Sequence, residues 1–192
     1  MRIAFLTSQF PGVRMGGIGS NTLALAAALA DLRLPSPAAA HDIHVFTFYL
    51  PEDLRRNLPG NITFHAVDDL AARVAAATEP AAPVLAAAAQ AAGPAMHCLV
   101  QGALLADALL ACHAATPFDL VEAPDYEALI LPLLWRLDRE SIPHPPATMT
   151  HIHSGSAINR RGNHLPTTAD DRCIDVLEQA AILLADGACA TT

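Results

Sequence analysis

The chain has 192 residues, of which 53% are hydrophobic, and a formal net charge of −8 at pH 7. This content of apolar residues suits the core of one α/β domain and excludes a disordered chain. The acidic balance argues against a nucleic-acid-binding protein, which needs clustered positive charge. The four cysteines lack the spacing of a zinc site, so we expect free thiols in a reducing compartment.

The amino-terminal part of the chain predicts a strand, a glycine-rich loop and a helix in direct succession. Residues 2–10 have the composition of a buried strand, and residues 20–32 form an alanine-rich helical segment. The loop between them ends in a glycine cluster, Gly16, Gly17 and Gly19. Such a corner can hold an anion, typically a phosphate, on backbone N–H groups and the helix dipole. The alternative is a flexible loop with a tight helix start.

The glycine cluster does not match the common nucleotide fingerprints. Gly17 and Gly19 fit the first two positions of a dinucleotide motif, but Thr22 occupies the third. The motif also needs an acidic residue near the end of the second strand, and the first one after that strand is Glu52. A P-loop is excluded because the chain contains no lysine. The pattern therefore argues against NAD and ATP as ligands.

The rest of the chain alternates between strand-like and helix-like segments. Strands are predicted over 42–48, 61–67, 118–124, 147–154 and 186–192, and helices over 68–77, 84–92, 96–115, 126–138 and 170–185. Residues 155–168 are predicted to form a polar loop, and Pro132 is predicted to kink its helix. This alternation predicts a Rossmann-like three-layer α/β/α sandwich with a mainly parallel sheet.

The location of the protein is predicted from what the sequence lacks. The apolar start is short and has no small-residue cleavage site, so it does not read as a signal peptide. Polar, charged or proline residues interrupt the alanine-rich stretches, so none is expected to be a membrane-spanning helix of about 20 residues. We therefore expect a cytoplasmic protein. Because the chain stops on a strand, we also expect it to be a domain of a longer protein.

Polar side chains follow the predicted strands at the edge where ligands of parallel sheets bind. Glu122 and Asp125 end the fourth strand, and their carboxylates are candidates for binding sugar hydroxyls. For Asp125 the alternative is an N-cap, since a helix is predicted to follow it. Arg160 lies in the polar loop after the fifth strand, as either a solvated residue or an acceptor-binding or phosphate-binding one.

Two histidines, His151 and His153, lie at the end of the fifth strand. Strand alternation places both on one face, but no third ligand is indicated nearby, so no metal site is predicted. His153 is the candidate for contact with a substrate. His151 is either a second contact or a packed core residue, and which of the two faces the cleft stays open.

Taken together, these segments resemble the amino-terminal domain of GT-B glycosyltransferases of the family 4 type. The segments that carry the resemblance are residues 2–11, the glycine cluster before a Leu/Ala helix, and residues 41–47, 118–126, 148–154 and 177–192. The resemblance implies one half of a GT-B fold over residues 1–192, whose donor-binding carboxy-terminal domain is absent from this chain. It implies transfer of a hexose, without a cofactor or metal, from UDP- or GDP-hexose to an acceptor, with retention at the anomeric carbon.

The resemblance also assigns roles by position. His153 would be the catalytic contact with the transferred sugar, and Gly16, Gly17 and Gly19 would face the donor diphosphate. Beside these roles, the residues themselves make Glu122, Asp125, His151 and Arg160 the candidates for binding the acceptor or the sugar. Because the donor-binding half is absent, we expect the chain alone to be inactive. Its partners would be the nucleotide-sugar, an acceptor and the missing domain or a separate chain, and a lipid acceptor would add peripheral membrane contact.

Two alternatives from other classes stay open. One is a non-catalytic binding domain that acts with a separate chain. The other is a different Rossmann-like nucleotide-sugar enzyme, such as an epimerase or a reductase.

Overall fold

The computed structural model describes residues 1–8, 17–32, 41–48, 62–69, 72 and 93–190. Within these ranges six strands form one sheet in the order β3-β2-β1-β4-β5-β6, and every neighbouring pair is parallel. The strands are β1 (Arg2–Thr7), β2 (Asp42–Thr47), β3 (Ile62–Ala66), β4 (Leu120–Pro124), β5 (Ala147–Ile152) and β6 (Gly187–Ala190). The strand order reverses between β1 and β4, which is the topological switch point of a Rossmann-like sheet.

Helices cover both faces of the sheet, so the predicted three-layer fold is confirmed. The helices are α1 (Gly17–Asp31), α2 (Pro94–Ala115), α3 (Leu131–Arg139), α4 (Ser156–Gly162) and α5 (Ala169–Leu184), with a 3₁₀ turn at Tyr126–Ala128. On one face, Ala26 and Ala30 of α1 pack against apolar side chains of β1 and β2. On the other face, α2, α3 and α5 bury the larger core, which includes Leu105, Leu109 and Leu133.

The sequence prediction was wrong at three elements. Pro132 does not kink a helix: it lies in the first turn of α3, where its missing N–H costs no hydrogen bond. The segment predicted as a polar loop contains the helix α4. The first helix begins at Gly17, three positions earlier than the predicted 20–32 segment, so Gly17 and Gly19 are helical. The helices predicted over 68–77 and 84–92 lie almost entirely outside the described residues.

Helix α2 also corrects an expectation. By length and composition alone it could cross a membrane, although no such segment was predicted. In the fold one side of the helix is buried, where Leu105 and Leu109 pack against the sheet and its neighbours. Gly102 of α2 lies directly against the start of α3 and the turn before it: a Cβ would be 2.6 Å from the carbonyl oxygen of Leu129 and 2.9 Å from the Pro132 ring.

Candidate functional site

The carboxyl ends of β1, β4 and β5 converge with the first turns of α1 at the switch point. Register brings these ends together, since Phe5 pairs with Glu122 and Pro124 pairs with His151. Side chains then connect the ends: the Ser8 hydroxyl donates to Glu127 Oε2 at 2.7 Å, and Asn21 of α1 reaches His153. We refer to this group of strand ends as the switch-point site.

His153 occupies the centre of the switch-point site. Its Nε2 lies 3.1 Å from the side-chain nitrogen of Asn21, and its backbone N–H donates to Asp125 Oδ1 at 3.1 Å. The same nitrogen lies 3.5 Å from His153 Nδ1, so the Asn21 amide approaches the edge of the ring between its two nitrogens. Burial, followed by the charge of His151, lowers the pKa of His153. The half-buried ring is therefore a neutral hydrogen-bonding group at neutral pH.

His151 lies one step deeper on the same face of the sheet. Its ring stacks on His153 with centroids 4.3 Å apart, and its Nδ1 is 2.9 Å from Glu122 Oε1. Glu122 is buried, and this burial raises the pKa of its carboxyl despite the opposing hydrogen bond from His151. Of the two histidines, His153 is the one that contacts α1, and His151 is held by Glu122.

The pair of Glu122 and His151 faces a cavity of about 660 Å³ on the α1 side of the sheet. Apolar side chains form most of its wall, among them Leu25 and Leu29 of α1 and Met149 of β5. Cys189 of β6 lies there too, in register with His151. Glu122 therefore lies along the face of the sheet rather than at its outermost edge. Its expected role in sugar binding stays a prediction.

Asp125 is 2% exposed and has a backbone partner. Its carboxylate accepts from the His153 N–H, and its own N–H donates to the carbonyl oxygen of His151 at 2.9 Å. Although it precedes the 3₁₀ turn, its side chain makes no capping hydrogen bond. Asp125 thus ties the end of β4 to the end of β5. Its expected role in sugar binding stays a prediction.

Two carboxylates of the switch-point site were missed at the sequence level. Glu127 has a left-handed backbone with φ of 63°, and Glu178 of α5 accepts its N–H at 2.9 Å. Glu178 is buried and also accepts from the N–H and the hydroxyl of Ser156. Glu178 lies in the segment 177–192 that contributes to the family resemblance, but the sequence assigned it no role in a site.

The predicted phosphate-binding glycines are only partly described. Gly16 lies outside the described residues. Gly17 is the first residue of α1, and a Cβ at this position would meet no atom of the described residues within 4 Å. Gly19 is buried two residues further along the helix. The first N–H groups of a helix have no partner within it, and the first turn of α1 carries no acidic residue that would repel an anion.

Arg160 is engaged with α5. Its guanidinium forms an ion pair with Asp175 and lies 3.6 Å from an oxygen of Asp171. These carboxylates hold its pKa above the ordinary value, through the hydrogen bond to Asp175 first of all. Arg160 therefore links α4 to α5, and its expected role in acceptor binding stays a prediction.

Within the described ranges, no group of three or more His, Cys, Asp or Glu side chains is arranged to hold a metal ion. The chemistry that the switch-point site offers is that of hydrogen bonding. It combines a neutral imidazole, an amide side chain and the amino-terminal end of α1. Its carboxylates are engaged with N–H and O–H donors.

Comparison with known proteins gives a likeness of fold. No family model matches the chain, and no curated protein matches it. Among solved structures, the chain is similar to a UGT transferase from Siraitia grosvenorii in complex with UDP. The TM-score is 0.54 and the sequence identity 10%, over 100% of this chain and 44% of that chain. This likeness concerns the fold alone: part of that transferase shares the Rossmann-like α/β architecture of this chain, and the likeness does not distinguish family 4 from other families. The chain spans less than half the length of that transferase.

Proposed function

We propose that this chain is the acceptor-side domain of a retaining glycosyltransferase that uses a UDP- or GDP-hexose. The observation that carries the proposal is the contact of His153 with Asn21, which places a neutral imidazole beside the first turns of α1 at the switch point. Ligands of open parallel sheets bind at this position. The likeness of fold to a transferase in complex with UDP supports the same direction.

We propose separate roles for the start of α1, for His153 and for the second domain. The amino-terminal end of α1, at Gly17, faces the donor diphosphate, because a helix N-terminus attracts negative charge. His153 forms a hydrogen bond to a hydroxyl of the transferred sugar through its imidazole ring. The cationic groups that stabilise the leaving phosphate belong to the second domain, which we propose lies outside this chain or in a partner chain.

The acceptor and the cellular location belong to the same proposal. We propose that Glu122, His151 and the neighbouring cavity receive part of the acceptor, since they combine an apolar wall with one carboxylate. A lipid acceptor would bring the domain to a membrane surface from the cytoplasm. No resident cofactor is part of this proposal.

A titration of the ¹⁵N-labelled chain with nucleotide-sugars tests the proposal. We expect UDP-glucose or GDP-mannose to shift the amide signals of residues 17–21 and 153–156, and UDP alone to shift only the first group. The variant His153→Asn should lose the sugar-dependent shifts. The matched control His144→Asn should keep them, because His144 is exposed in the loop before β5 and its φ of 50° suits asparagine.

Three results would contradict the proposal. Saturating nucleotide-sugar without shifts at either group would favour a binding domain that acts with another chain. Equal shifts by NADH would favour another Rossmann-like enzyme. Retained sugar-dependent shifts in His153→Asn would show that His153 does not contact the sugar.

A further inference from the structure

Glu178 connects parts of the chain that are distant in sequence. It projects from α5, is 4% exposed, and uses both oxygens of its carboxylate. Oε1 accepts from the Glu127 N–H at 2.9 Å and from the Ser156 hydroxyl at 2.6 Å, and Oε2 accepts from the Ser156 N–H at 2.8 Å. These partners follow β4 and β5, so a single side chain joins the ends of two neighbouring strands.

The contact with Glu127 extends this connection to β1. Glu127 and Ala128 both have positive φ, at 63° and 50°, a backbone conformation that non-glycine residues adopt only when their surroundings enforce it. The hydrogen bond from the Glu127 N–H to Glu178 is one such constraint. This turn after β4 directs the Glu127 carboxylate toward the Ser8 hydroxyl. The strand ends on both sides of the switch point therefore depend on Glu178.

Two buried carboxylates enclose the loop that carries His153. A Cβ on Gly155 would lie 2.9 Å from Glu178 Oε2 and 3.6 Å from Asp125 Oδ2, so the loop passes between them without room for a side chain. Asp125 holds the His153 N–H at one end of this loop, and Glu178 holds Ser156 at the other. Burying a carboxylate carries a desolvation cost, which here is offset by these fixed donors.

We infer that Glu178 is the positioning residue of the switch-point site: by joining the turn after β4 to the loop after β5, it sets the imidazole of His153 against Asn21 of α1. This inference concerns the geometry of the site, and only its consequence for nucleotide-sugar binding rests on the proposed function. The mechanism is indirect, since Glu178 contacts Glu127 and Ser156 and not His153 itself.

The test compares Glu178→Gln with the control Glu140→Gln, an exposed glutamate at the end of α3. A glutamine has the size of glutamate but only one accepting oxygen, so it cannot reproduce all three hydrogen bonds. In Glu178→Gln we expect hydrogen exchange to accelerate about tenfold at whichever of the Glu127 and Ser156 amides loses its accepting oxygen, the effect of losing one hydrogen bond. We also expect the ring signals and the pKa of His153 to shift. Glu140→Gln should change none of these.

If Glu178→Gln fails to fold, a less disruptive variant tests the same inference. Ser156→Ala removes only the hydrogen bond from the hydroxyl, and we expect smaller shifts of the same His153 signals in the same direction. Faster amide exchange with unchanged His153 signals would mean that Glu178 only stabilises the fold, and would overturn the inference.

The two proposals fail in distinguishable ways. The His153 signals are read without any ligand, so they test the positioning role alone. If they move in Glu178→Gln while the unmodified chain shows no response to UDP-glucose, the positioning role stands and the proposed function fails. If the unmodified chain responds and Glu178→Gln responds identically, the positioning role fails.

Discussion

At the scale of single residues, two histidines on the α2 side of the sheet form a hydrogen-bonded pair. Nδ1 of His44 on β2 lies 2.8 Å from Nε2 of His65 on β3, and Nε2 of His44 lies 3.1 Å from Asp42. One ring must donate and the other accept, so both cannot be fully protonated without breaking the contact. Burial first, and then the charge of His44, lowers the pKa of His65.

This pair makes the stability of the fold depend on pH. Because the pKa of His65 is lower in the folded state, the unfolded chain binds more protons below its ordinary pKa of about 6.5. Stability is therefore full above that value and falls as the pH decreases through it. We expect the midpoint of urea unfolding to drop between pH 7.5 and pH 5, and to drop less in His65→Phe, whose ring can still stack on Phe46.

At pH 7.5 the same variant should be less stable by about 1 kcal/mol, since His44 loses a hydrogen-bond partner. Part of the pH dependence will remain, because the lowered pKa of His153 acts in the same direction. The control His144→Asn should reproduce the pH profile of the unmodified chain. A profile of equal steepness in His65→Phe would show that this pair does not set the pH response.

Some residues of the switch-point site can be identified from the local sequence, and others cannot. His153 was identified because it lies at the end of a predicted strand, where position alone indicates a ligand-facing side chain. Asn21 and Glu178 were not, since their contribution depends on helices that approach the site from elsewhere in the chain. The hydrogen bond between Glu127 and Glu178 spans 51 positions, and no local pattern encodes such a pairing.

At the scale of elements, the contact between α2 and α3 depends on a single glycine. A Cβ at Gly102 would lie 2.6 Å from the Leu129 carbonyl oxygen and 2.9 Å from the Pro132 ring, and neither group can move independently of the backbone. We expect Gly102→Ala to reduce the free energy of unfolding by about 1–3 kcal/mol, because overpacking outweighs the better helix propensity of alanine.

Urea denaturation of Gly102→Ala beside Gly162→Ala measures this effect. Gly162 ends α4, and a Cβ there would meet no atom within 4 Å, so the control should be neutral or slightly stabilising. Equal stability of the two variants would mean that α3 can shift away from α2 at little cost.

The success of the element predictions depended on how strongly each segment is patterned. The strands were found because buried parallel strands form short apolar runs between polar turns. Helix α4 was missed since its seven residues are mostly polar and its order depends on contacts such as that of Arg160 with α5. Pro132 was misplaced because a proline inside a helical pattern reads equally as a kink or as a helix start.

At the scale of the whole molecule, the strand order places the site more firmly than any single motif. The alternation of strands and helices predicted a parallel sheet. The order β3-β2-β1-β4-β5-β6 then places the topological switch point between β1 and β4. The polar strand ends, the start of α1 and the cavity beside Glu122 all lie around that position. Chemistry, however, is not determined by the fold, and the identity of donor and acceptor depends on groups that contact them.

The chain by itself should bind a nucleotide-sugar without cleaving it. Transfer of a hexose requires stabilisation of the leaving diphosphate and exclusion of water, and the switch-point site supplies only one wall of such an environment. In the described part of the chain, the Asp125 and Glu178 carboxylates are already held by N–H donors, and the Arg160 guanidinium is held by Asp175. We therefore expect no release of UDP from UDP-glucose above the rate in buffer, measured by chromatography of the nucleotide products. Release that rises with protein concentration and disappears in His153→Asn would show that one sheet edge is sufficient for catalysis, and would contradict the proposed division of labour between two domains.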